Sequence, residues 1–305
     1  MITVIGEALI DIIVGPDGEV RAAAIGGAPL NTTRTLARLG IPAAFLGGVS
    51  TDVFGRRIQR KLAEDRVTMA LTPVPEPTTL AIAELDDAGS ATYRFVYEGT
   101  SATAVMPEAA LAAVPQDCSA IHAGTLGLVF LPLAHATRAV VESARDDCLV
   151  MIDPNCRPAV MGATTAFQTT FDAVLKRADV VKVSRDDLTF LYPDTDPLEA
   201  ARQLVARSGA AVLFTGGPSS VHIVTELQEQ TIPVPQVNVV DSVGAGDAFS
   251  GGFLAHWTKS GLRRADVTNF AALVAAAEFG IKVAAITCTR AGADPPFASE
   301  LGVEE

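Results

Sequence analysis

The stretch Asp241-Ser-Val-Gly-Ala-Gly-Asp247 is the most informative segment of the chain. It is a glycine-rich turn that leads directly into an amphipathic pattern over Ala245–Lys259, and this pattern predicts a helix. Glycines let consecutive backbone N–H groups point at one place, and the start of a helix adds partial positive charge there. We therefore expect an anion hole at Gly244–Gly246, with the Asp247 carboxylate beside it.

The position of Asp247 allows two interpretations. An acidic residue in the first turn of a helix often does no more than offset the helix dipole. A carboxylate next to an anion site would repel the anion, however, and its presence there is explained if it deprotonates a hydroxyl group. We favour this second interpretation, in which Asp247 is the catalytic base of a phosphoryl transfer.

The composition is that of a globular and acidic protein. Of the 305 residues, 49% are hydrophobic and 19% are charged, and 35 acidic against 23 basic residues give a formal charge of −12. Such a surface repels phosphate backbones and anionic lipid heads, so we expect neither a nucleic-acid nor a membrane partner. A nucleotide is also an anion, and its phosphates therefore need positive groups that are provided locally.

The four cysteines and four histidines are scattered along the chain, without a C-x-x-C pair. This argues against a disulfide framework and against a His-based or Cys-based metal site. The first residues, Met1–Gly6, lack the basic region of a secretion signal, and we expect no unbroken apolar stretch near the roughly 20 residues that a membrane span needs. The sequence predicts a cytoplasmic location.

Apolar segments of strand length alternate with helical patterns, which predicts an α/β fold with a doubly wound parallel sheet flanked by helices. Several of these segments are continuously apolar, as expected for strands buried on both faces. The predicted strands are Thr3–Ile5, Ala43–Gly47, Ala120–Ala123, Leu149–Asp153, Val180–Val183, Ala211–Thr215 and Val221–Val224. The predicted helices are Asn31–Leu39, Pro132–Arg145, Pro197–Arg207 and Ala245–Lys259.

Two segments depart from this alternation. Residues 8–27 and 79–97 each contain two apolar runs joined by a short turn, Pro16-Asp-Gly18 in the first and Asp86-Asp-Ala-Gly89 in the second. Both patterns predict β-hairpins. Together, over about residues 9–25 and 79–97, they would form a small β lid on the main sheet. Because no linker separates the halves of the chain, we predict a single domain, 1–305, that carries this lid.

Three motifs resemble those of the ribokinase-like carbohydrate kinases. Asp241–Phe249 resembles the C-terminal signature of that family, and Gly26-Gly-Ala-Pro-Leu-Asn31 resembles its N-terminal signature. Phe45-Leu-Gly-Gly-Val-Ser-Thr-Asp-Val-Phe-Gly55 resembles the strand and turn that follow. The motifs stand in the family's order over essentially the whole chain. The resemblance implies a kinase that transfers the γ-phosphate of ATP to a primary hydroxyl of a monosaccharide.

The resemblance also implies roles for individual residues. The positions that match the family's general base and anion hole are Asp247, Gly244, Ala245 and Gly246, and the two glycines of this set also face the nucleotide. The positions that match sugar-binding residues are Asp11, Gly26, Gly27 and Asn31. A simple turn after the hairpin is the alternative explanation of the two glycines at 26 and 27.

Asp153-Pro-Asn-Cys-Arg-Pro158 follows a core strand, at the edge where open α/β sheets place their ligands. It resembles the D-P-N-x-R motif of fructokinases and their close relatives. This implies that Asn155 and Arg157 bind the sugar or the transferred phosphate. A proline-rich connection between a strand and a helix is the alternative.

Two further segments resemble the nucleotide side of the family. Lys182-Val-Ser-Arg-Asp-Asp187 matches a segment whose acidic residue organises Mg²⁺ through water, and here Asp187 replaces the usual Glu. Lys182 and Ser184 would then contact the nucleotide.

Phe214-Thr-Gly-Gly-Pro-Ser-Ser220 matches the T-x-G-x-x-G nucleotide segment, which implies contacts from Thr215 and Gly217. The implied cofactors are ATP as co-substrate, Mg²⁺, and a monovalent cation such as K⁺ near the Gly-Ala-Gly turn.

Fructose is the first choice of sugar, because Gly6–Asp11, Asp153–Arg157 and Lys182–Ser184 all resemble fructokinases. A 2-keto-3-deoxygluconate kinase is the runner-up, since its acidic sugar needs a cation on the lid. Arg94 would have to serve, but strand alternation points it away from the face of Phe95 and Tyr97, where we expect the sugar to lie. Ribokinase or nucleoside kinase activity comes third.

Other classes of protein fit less well. A dinucleotide dehydrogenase needs G-x-G-x-x-G after the first strand, a P-loop kinase needs G-x-x-x-x-G-K-[ST], and the sequence has neither. A non-catalytic sugar-sensing protein would be expected to lose Asp247 or the Gly-Ala-Gly turn. The expected partners are a sugar and ATP, and the sequence leaves a homodimer formed through the lid open.

Overall fold

A computed structural model describes residues 1–88, 90–162 and 165–302, so Gly89 of the predicted Asp86–Gly89 turn lies outside the described residues. The β-strands are β1 (Ile2–Ile5), β2 (Leu9–Val14), β3 (Val20–Gly26), β4 (Ala43–Leu46), β5 (Thr68–Met69), β6 (Thr79–Leu85), β7 (Ala91–Val96), β8 (Ala120–Gly124), β9 (Leu149–Asp153), β10 (Val180–Ser184), β11 (Ala211–Thr215), β12 (Ser220–Val224) and β13 (Glu229–Pro233). The α-helices are α1 (Ala28–Arg38), α2 (Val53–Glu64), α3 (Pro107–Ala113), α4 (Leu133–Glu142), α5 (Pro158–Met161), α6 (Thr165–Leu175), α7 (Arg185–Leu191), α8 (Pro197–Ser208), α9 (Ala245–Lys259) and α10 (Phe270–Cys288).

The main sheet has nine strands within the described chain, in the order β13-β12-β11-β10-β9-β8-β1-β4-β5. Neighbouring strands from β11 to β5 run parallel. Alternate side chains of β9 enter opposite layers: Val150 packs with α4, α6 and α8, whereas Met151 packs with α1, α9 and α10. Helices therefore cover both faces, and the predicted doubly wound α/β fold is confirmed.

The direction of one predicted core strand is wrong. Val221–Val224 lies in β12, which runs antiparallel to β11 and is followed by the antiparallel β13. The connection between β11 and β12 is a tight turn with Gly217 at φ +68°. A turn of this length cannot hold the crossover that a parallel strand requires, so the chain returns as a hairpin.

Helix α10 approaches the length of a membrane span, but Glu278 and Lys282 interrupt its apolar residues, so it does not contradict the expectation about unbroken apolar stretches. It has 19 residues with a mean hydropathy of 1.7, and it is the one helix of the described residues long and apolar enough to cross a membrane. Half of it is buried, and a Cβ atom added to Gly252 of α9 would lie 2.9 Å from the Cα atom of Gly280. Because α9 and α10 pack this closely, we interpret α10 as a core helix.

A second sheet, which we call the lid sheet, contains β2, β3, β6 and β7 in the order β3-β2-β6-β7. The outer pairs are antiparallel hairpins and the central pair is parallel. Asp11, Ala81 and Phe95 are direct cross-strand neighbours and so share one face. Ile10 on the opposite face packs with Ile58 of α2. One face of the lid sheet is therefore anchored, and the other presents Asp11.

Candidate active site

Asp247 lies where the N-termini of two helices meet. Helix α9 begins after Gly244, whose φ of +77° is one that glycine adopts without strain. The buried Asp247 carboxylate accepts a hydrogen bond of 2.9 Å from Nδ2 of Asn31, in the first turns of α1. A Cβ atom on Gly251 would lie 2.6 Å from Cβ of Thr35, so this glycine lets the two helices approach. The two signature motifs thus form one structural unit.

The groups around Asp247 shift its pKa in opposite directions. Burial raises the pKa of its carboxyl above the ordinary value, whereas the hydrogen bond from Asn31 and the positive charges of Lys182 and Arg157 lower it. A dehydrated carboxylate is a stronger proton acceptor than one in water, and cationic neighbours favour the ionised form that can act as a base. The geometry supports Asp247 as a base.

Lys182 supplies positive charge at the anion hole. Its Nζ atom lies 3.0 Å from Oδ2 of Asp153, and both side chains are buried. A Cβ atom on Gly246 would lie 2.9 Å from the same Nζ. Glycine at this position therefore leaves space for the ammonium group beside the start of α9. The acidic chain therefore creates a local cationic site, as the binding of a nucleotide requires.

The Lys182–Asp153 pair is ionised at neutral pH. Desolvation opposes the charge on Lys182, but the charges of Asp153 and Asp187 outweigh it and raise the pKa of the ammonium group. Burial raises the pKa of Asp153 to about 6 even though Lys182 lowers it. The sequence did not identify Asp153 as a partner of Lys182, because their contact depends on the pairing of β9 with β10.

The residues predicted on the sugar side gather at the start of α1. A Cβ atom on Gly26 would lie 1.9 Å from Oδ2 of Asp11, and one on Gly27 would lie 2.6 Å from the backbone oxygen of Glu7. These close approaches, and the φ of +108° at Gly27, require glycine at both positions. Burial raises the pKa of Asp11 to about 6, Arg157 lowers it and Asp247 raises it. Asp11 and Asp247 therefore border one region.

Asn155 and Arg157 form a loop after β9. Asn155 adopts a φ of +38°, and Nη1 of Arg157 donates to its Oδ1 over 2.7 Å and to its backbone oxygen over 3.1 Å. The Arg157 guanidinium is exposed and turned back on its own loop. Its charge nevertheless influences Asp11 and Asp247, so it lies at the mouth of the site.

The predicted lid residues belong to an aromatic cluster that the sequence did not reveal. Tyr97 stacks on Phe130 with ring centroids 3.9 Å apart, and Phe95 meets the same ring edge-on at 6.3 Å. Leu9 of β2 and Leu126 complete the cluster. Phe95 is also in register with Asp11, as described above. The face of the lid sheet that carries Asp11 is therefore apolar around this carboxylate.

On the nucleotide side, Ser184 and Asp187 are bonded to each other. Ser184 caps α7, and its backbone N–H and hydroxyl both donate to Oδ2 of Asp187 over 2.7 Å. The other carboxylate oxygen of Asp187 accepts from the N–H of Cys156 over 2.6 Å. The helix cap is a structural role that the sequence analysis did not assign.

Thr215 and Gly217 lie at the end of β11 and in the turn after it. The hydroxyl of Thr215 donates to the backbone oxygen of Val183 over 3.3 Å. Across the residues that the structure describes, no three His, Cys, Asp or Glu side chains are grouped to hold a metal ion. A metal in this site would take most of its ligands from phosphate and water.

Comparisons with known proteins agree on one family. The description "pfkB family carbohydrate kinase" belongs to the family model that matches residues 1–300. The chain is 33% identical to a fructokinase from Rhizobium leguminosarum bv. trifolii over 261 residues, 84% of this chain and 79% of that protein. It is 32% identical to a fructokinase from Vibrio alginolyticus over 294 residues, 95% of this chain and 93% of the relative.

Solved structures give the same result. A crystal structure of fructokinase with bound ATP from Xylella fastidiosa matches with a TM-score of 0.88 and 28% identity, over 98% of this chain and 96% of that one. A fructokinase double mutant from Vibrio cholerae O395, in a form with fructose, ADP and potassium ion bound, matches with a TM-score of 0.81 and 26% identity, over 96% and 93% of the two chains.

Proposed function

Because the chain belongs to the pfkB family of carbohydrate kinases, we propose that this ATP-dependent sugar kinase phosphorylates a primary hydroxyl of fructose. The observation that carries the proposal is the position of Asp247. It lies beside the backbone N–H groups at the start of α9, near Lys182, and within the electrostatic reach of Arg157. A base and an anion hole at one point are what the transfer of a phosphoryl group to an alcohol needs.

In the proposed reaction, Asp247 accepts the proton of the attacking hydroxyl. The hydrogen bond from Asn31 fixes the direction of the carboxylate. Oδ1 of Asn31 is buried without a hydrogen-bond partner among the described residues, so it is available to accept a bond from the sugar. The N–H groups of Gly244, Ala245 and Gly246, together with Lys182, stabilise the negative charge on the phosphoryl oxygens.

The donor set of the site suits Mg²⁺ bound mainly by the nucleotide. Mg²⁺ commonly keeps several waters and uses one or two carboxylates plus substrate phosphates. Asp187 accepts three protein hydrogen bonds, and a carboxylate offers about four lone-pair positions, which leaves room for a metal-bound water. When bound, Mg²⁺ would neutralise phosphate charge; Ser184 and Cys156 would hold the carboxylate that orients its water shell.

A monovalent cation near the Gly-Ala-Gly turn is part of the proposal. The loop at Asp241 and the C-terminal loop meet there, since Gly292 N–H donates to the Asp241 carboxylate over 2.8 Å. Backbone oxygens from two such loops are the ligands that K⁺ prefers. The fructokinase from Vibrio cholerae was solved with potassium ion bound. Assays in K⁺ and in Li⁺ should therefore differ in rate.

The lid sheet has two proposed roles. Its face with Asp11 and Phe95 would close over the sugar and exclude water, which otherwise competes for the γ-phosphate. Its two edge strands expose Val20 of β3 by 62%, Tyr93 of β7 by 54% and Val96 of β7 by 44%, and we propose that a second copy of the chain covers these side chains. Replacement of Tyr93 by Glu should then convert a dimer into a monomer in sedimentation experiments.

Two observations favour fructose over an acidic sugar. The relatives at 33% and 32% identity are fructokinases. Arg94, the candidate cation of the lid sheet, faces away from Phe95 and lies 3.6 Å from Glu84. The face with Asp11 would repel the carboxylate of 2-keto-3-deoxygluconate, so we place that sugar second and ribose or nucleosides third.

The test is turnover of ATP with fructose, ribose, 2-keto-3-deoxygluconate and several nucleosides in parallel. We expect the highest kcat/KM with fructose. A higher value for another sugar contradicts the substrate, whereas no release of ADP with any sugar contradicts the activity and supports a sugar-sensing role.

We also propose a cytoplasmic location. Cys118, Cys148 and Cys156 are free and buried, which suits a reducing compartment. Fractionation of cells that express the untagged protein checks this: recovery outside the cytosol contradicts it.

A further inference from the structure

Glu7 is a buried carboxyl group that the proposed chemistry does not use. It lies two residues after the end of β1 and is 1% exposed. Its Oε2 atom has no hydrogen-bond partner within the described residues. The N–H group of Ala28, the first residue of α1, lies close enough to the Glu7 carboxyl to lower its pKa. A buried acid with one oxygen unused calls for an explanation.

Helix α1 needs a cap that its own sequence does not provide. The capping position is Gly27, which has no side chain, and the first turn contains no acidic residue. The carboxyl of Glu7, in the segment after β1, lies at this end of the helix, since the Ala28 N–H group acts on its pKa. Its backbone oxygen also touches the turn, since a Cβ atom on Gly27 would lie 2.6 Å from it.

The start of α1 carries two parts of the proposed sugar site. The Gly26-Gly27 turn precedes it, and Asn31, which holds the Asp247 carboxylate, lies one turn into the helix. We propose that Glu7 is a positioning residue for the sugar site, whose buried side chain fixes the Gly26-Gly27 turn and the start of α1 under the substrate. This inference rests on the proposed function.

The neighbouring charges support the uncharged form. Burial raises the pKa of Glu7 to about 8, the two backbone hydrogen bonds and the charge of Arg157 lower it, and the charge of Asp247 raises it further. Arg157 and Asp247 are the charged groups that act on Glu7 from the other elements of the site. An ionised Glu7 would add a further negative charge near Asp247, where the phosphoryl group must approach. The uncharged form of Glu7 therefore lowers the cost of burying the side chain and avoids repulsion of the phosphoryl group.

The first test compares Glu7→Gln with the wild type as pH is varied. Glutamine keeps an oxygen for the Ala28 N–H and stays neutral at every pH. We expect Glu7→Gln to have a fructose KM within threefold of wild type at pH 7. Between pH 7 and pH 9 the wild-type KM should rise about tenfold as Glu7 ionises, while that of Glu7→Gln stays flat. Parallel profiles of the two proteins over this range contradict the proposal.

Truncation provides the second test. Glu7→Ala removes the cap, and we expect the fructose KM to rise about tenfold, the size of a lost helix cap, with the dissociation constant of ATP unchanged. Glu226→Gln, which removes an exposed acid in the turn after β12, is the control and should match wild type at every pH. A wild-type fructose KM in Glu7→Ala would overturn the positioning role.

A third measurement does not need turnover and separates this inference from the proposed function. A carboxyl whose pKa is higher in the folded than in the unfolded state loses its stabilising effect as pH rises between the two values. Relative to Glu7→Gln, the folding constant of wild type should fall about tenfold per pH unit from about pH 5 to 8 and then level off. If urea unfolding shows this and no sugar is phosphorylated, the proposed function fails and the neutral state of Glu7 stands. A ratio that does not change with pH contradicts the neutral state itself.

Discussion

Nδ2 of Asn31 donates a hydrogen bond of 2.9 Å to Oδ2 of Asp247, a residue 216 positions away in the sequence. The bond joins the N-terminal signature motif to the C-terminal one, and in the proposed mechanism the two substrates would meet at this carboxylate. It also sets the acidity of the base, because it lowers a pKa that burial raises. Asn31 is therefore more than the sugar ligand that the sequence implies.

The pH dependence of kcat should report this bond. Asn31→Ala removes a hydrogen bond to a charged group, so the pKa of Asp247 should rise by about one unit and the acidic limb of the profile should move to higher pH by the same amount. Thr33→Val is the matched control, since the Thr33 hydroxyl bonds only within α1, to Pro29. An acidic limb at the wild-type position in Asn31→Ala contradicts the assignment.

Replacement of the base should stop chemistry without loss of the nucleotide. Asp247→Asn keeps the size of the side chain and removes its basicity, and we expect kcat to fall on the order of 10²–10⁴-fold with ATP affinity preserved. Glu108→Gln removes an acid from the first turn of α3 and tests the alternative that such acids only offset a helix dipole. A value of kcat within threefold of wild type for Asp247→Asn would sink the catalytic role.

The geometry of the anion hole can be tested with two glycines of similar conformation. Gly244 has φ +77° and Gly209 has φ +72°, but an added Cβ meets Cβ of Ala293 at 2.5 Å in the first case and nothing within 4 Å in the second. Gly209→Ala should cost about 1–2 kcal/mol of stability from backbone strain alone and leave kcat unchanged. Gly244→Ala should also lower kcat by about 10²–10³-fold, because the N–H donors move. Equal kcat values in the two variants would remove the anion hole from the mechanism.

Two substitutions in the buried pair of Lys182 and Asp153 should separate the effect on stability from the effect on rate. Lys182→Met leaves a buried carboxylate without its partner and should lower the free energy of unfolding by about 3–5 kcal/mol. Adding Asp153→Asn removes that charge, and its side-chain oxygen can still accept from the N–H of Asn155. Urea unfolding of the double variant should then return toward wild type while kcat stays low. Recovery of kcat together with stability would mean that Lys182 has only a structural role.

The Mg²⁺ role of Asp187 predicts a specific kinetic change. Asp187→Asn keeps the helix cap in part but weakens the hold on metal-bound water, so the Mg²⁺ concentration for half-maximal rate should rise about tenfold, at an unchanged fructose KM. Asp186→Asn, on the exposed side of the same turn, is the control. An unchanged Mg²⁺ requirement in Asp187→Asn argues that the capping box is the whole role of this residue.

Sequence reasoning succeeded where structure is local. Helix α9 has the predicted bounds Ala245–Lys259, and β9 and β11 also begin and end where the apolar runs predict. It failed where the signal depended on a distant partner, since Phe130 joins the aromatic cluster only because Tyr97 stacks on it. The wrong direction of β12 had a local cause, the short turn after β11 that reverses the chain.

The sequence by itself determined the family of the chain and predicted the anion hole and the base at Asp247, because glycine conformations, helix starts and apolar periodicity are properties of neighbouring residues. Only the tertiary structure decided what surrounds that base. The bond from Asn31, the ammonium group of Lys182 against Gly246, and the cap that Glu7 places on α1 all join residues from different elements. Such contacts depend on how strands pair and how helices pack, and no local pattern encodes that packing.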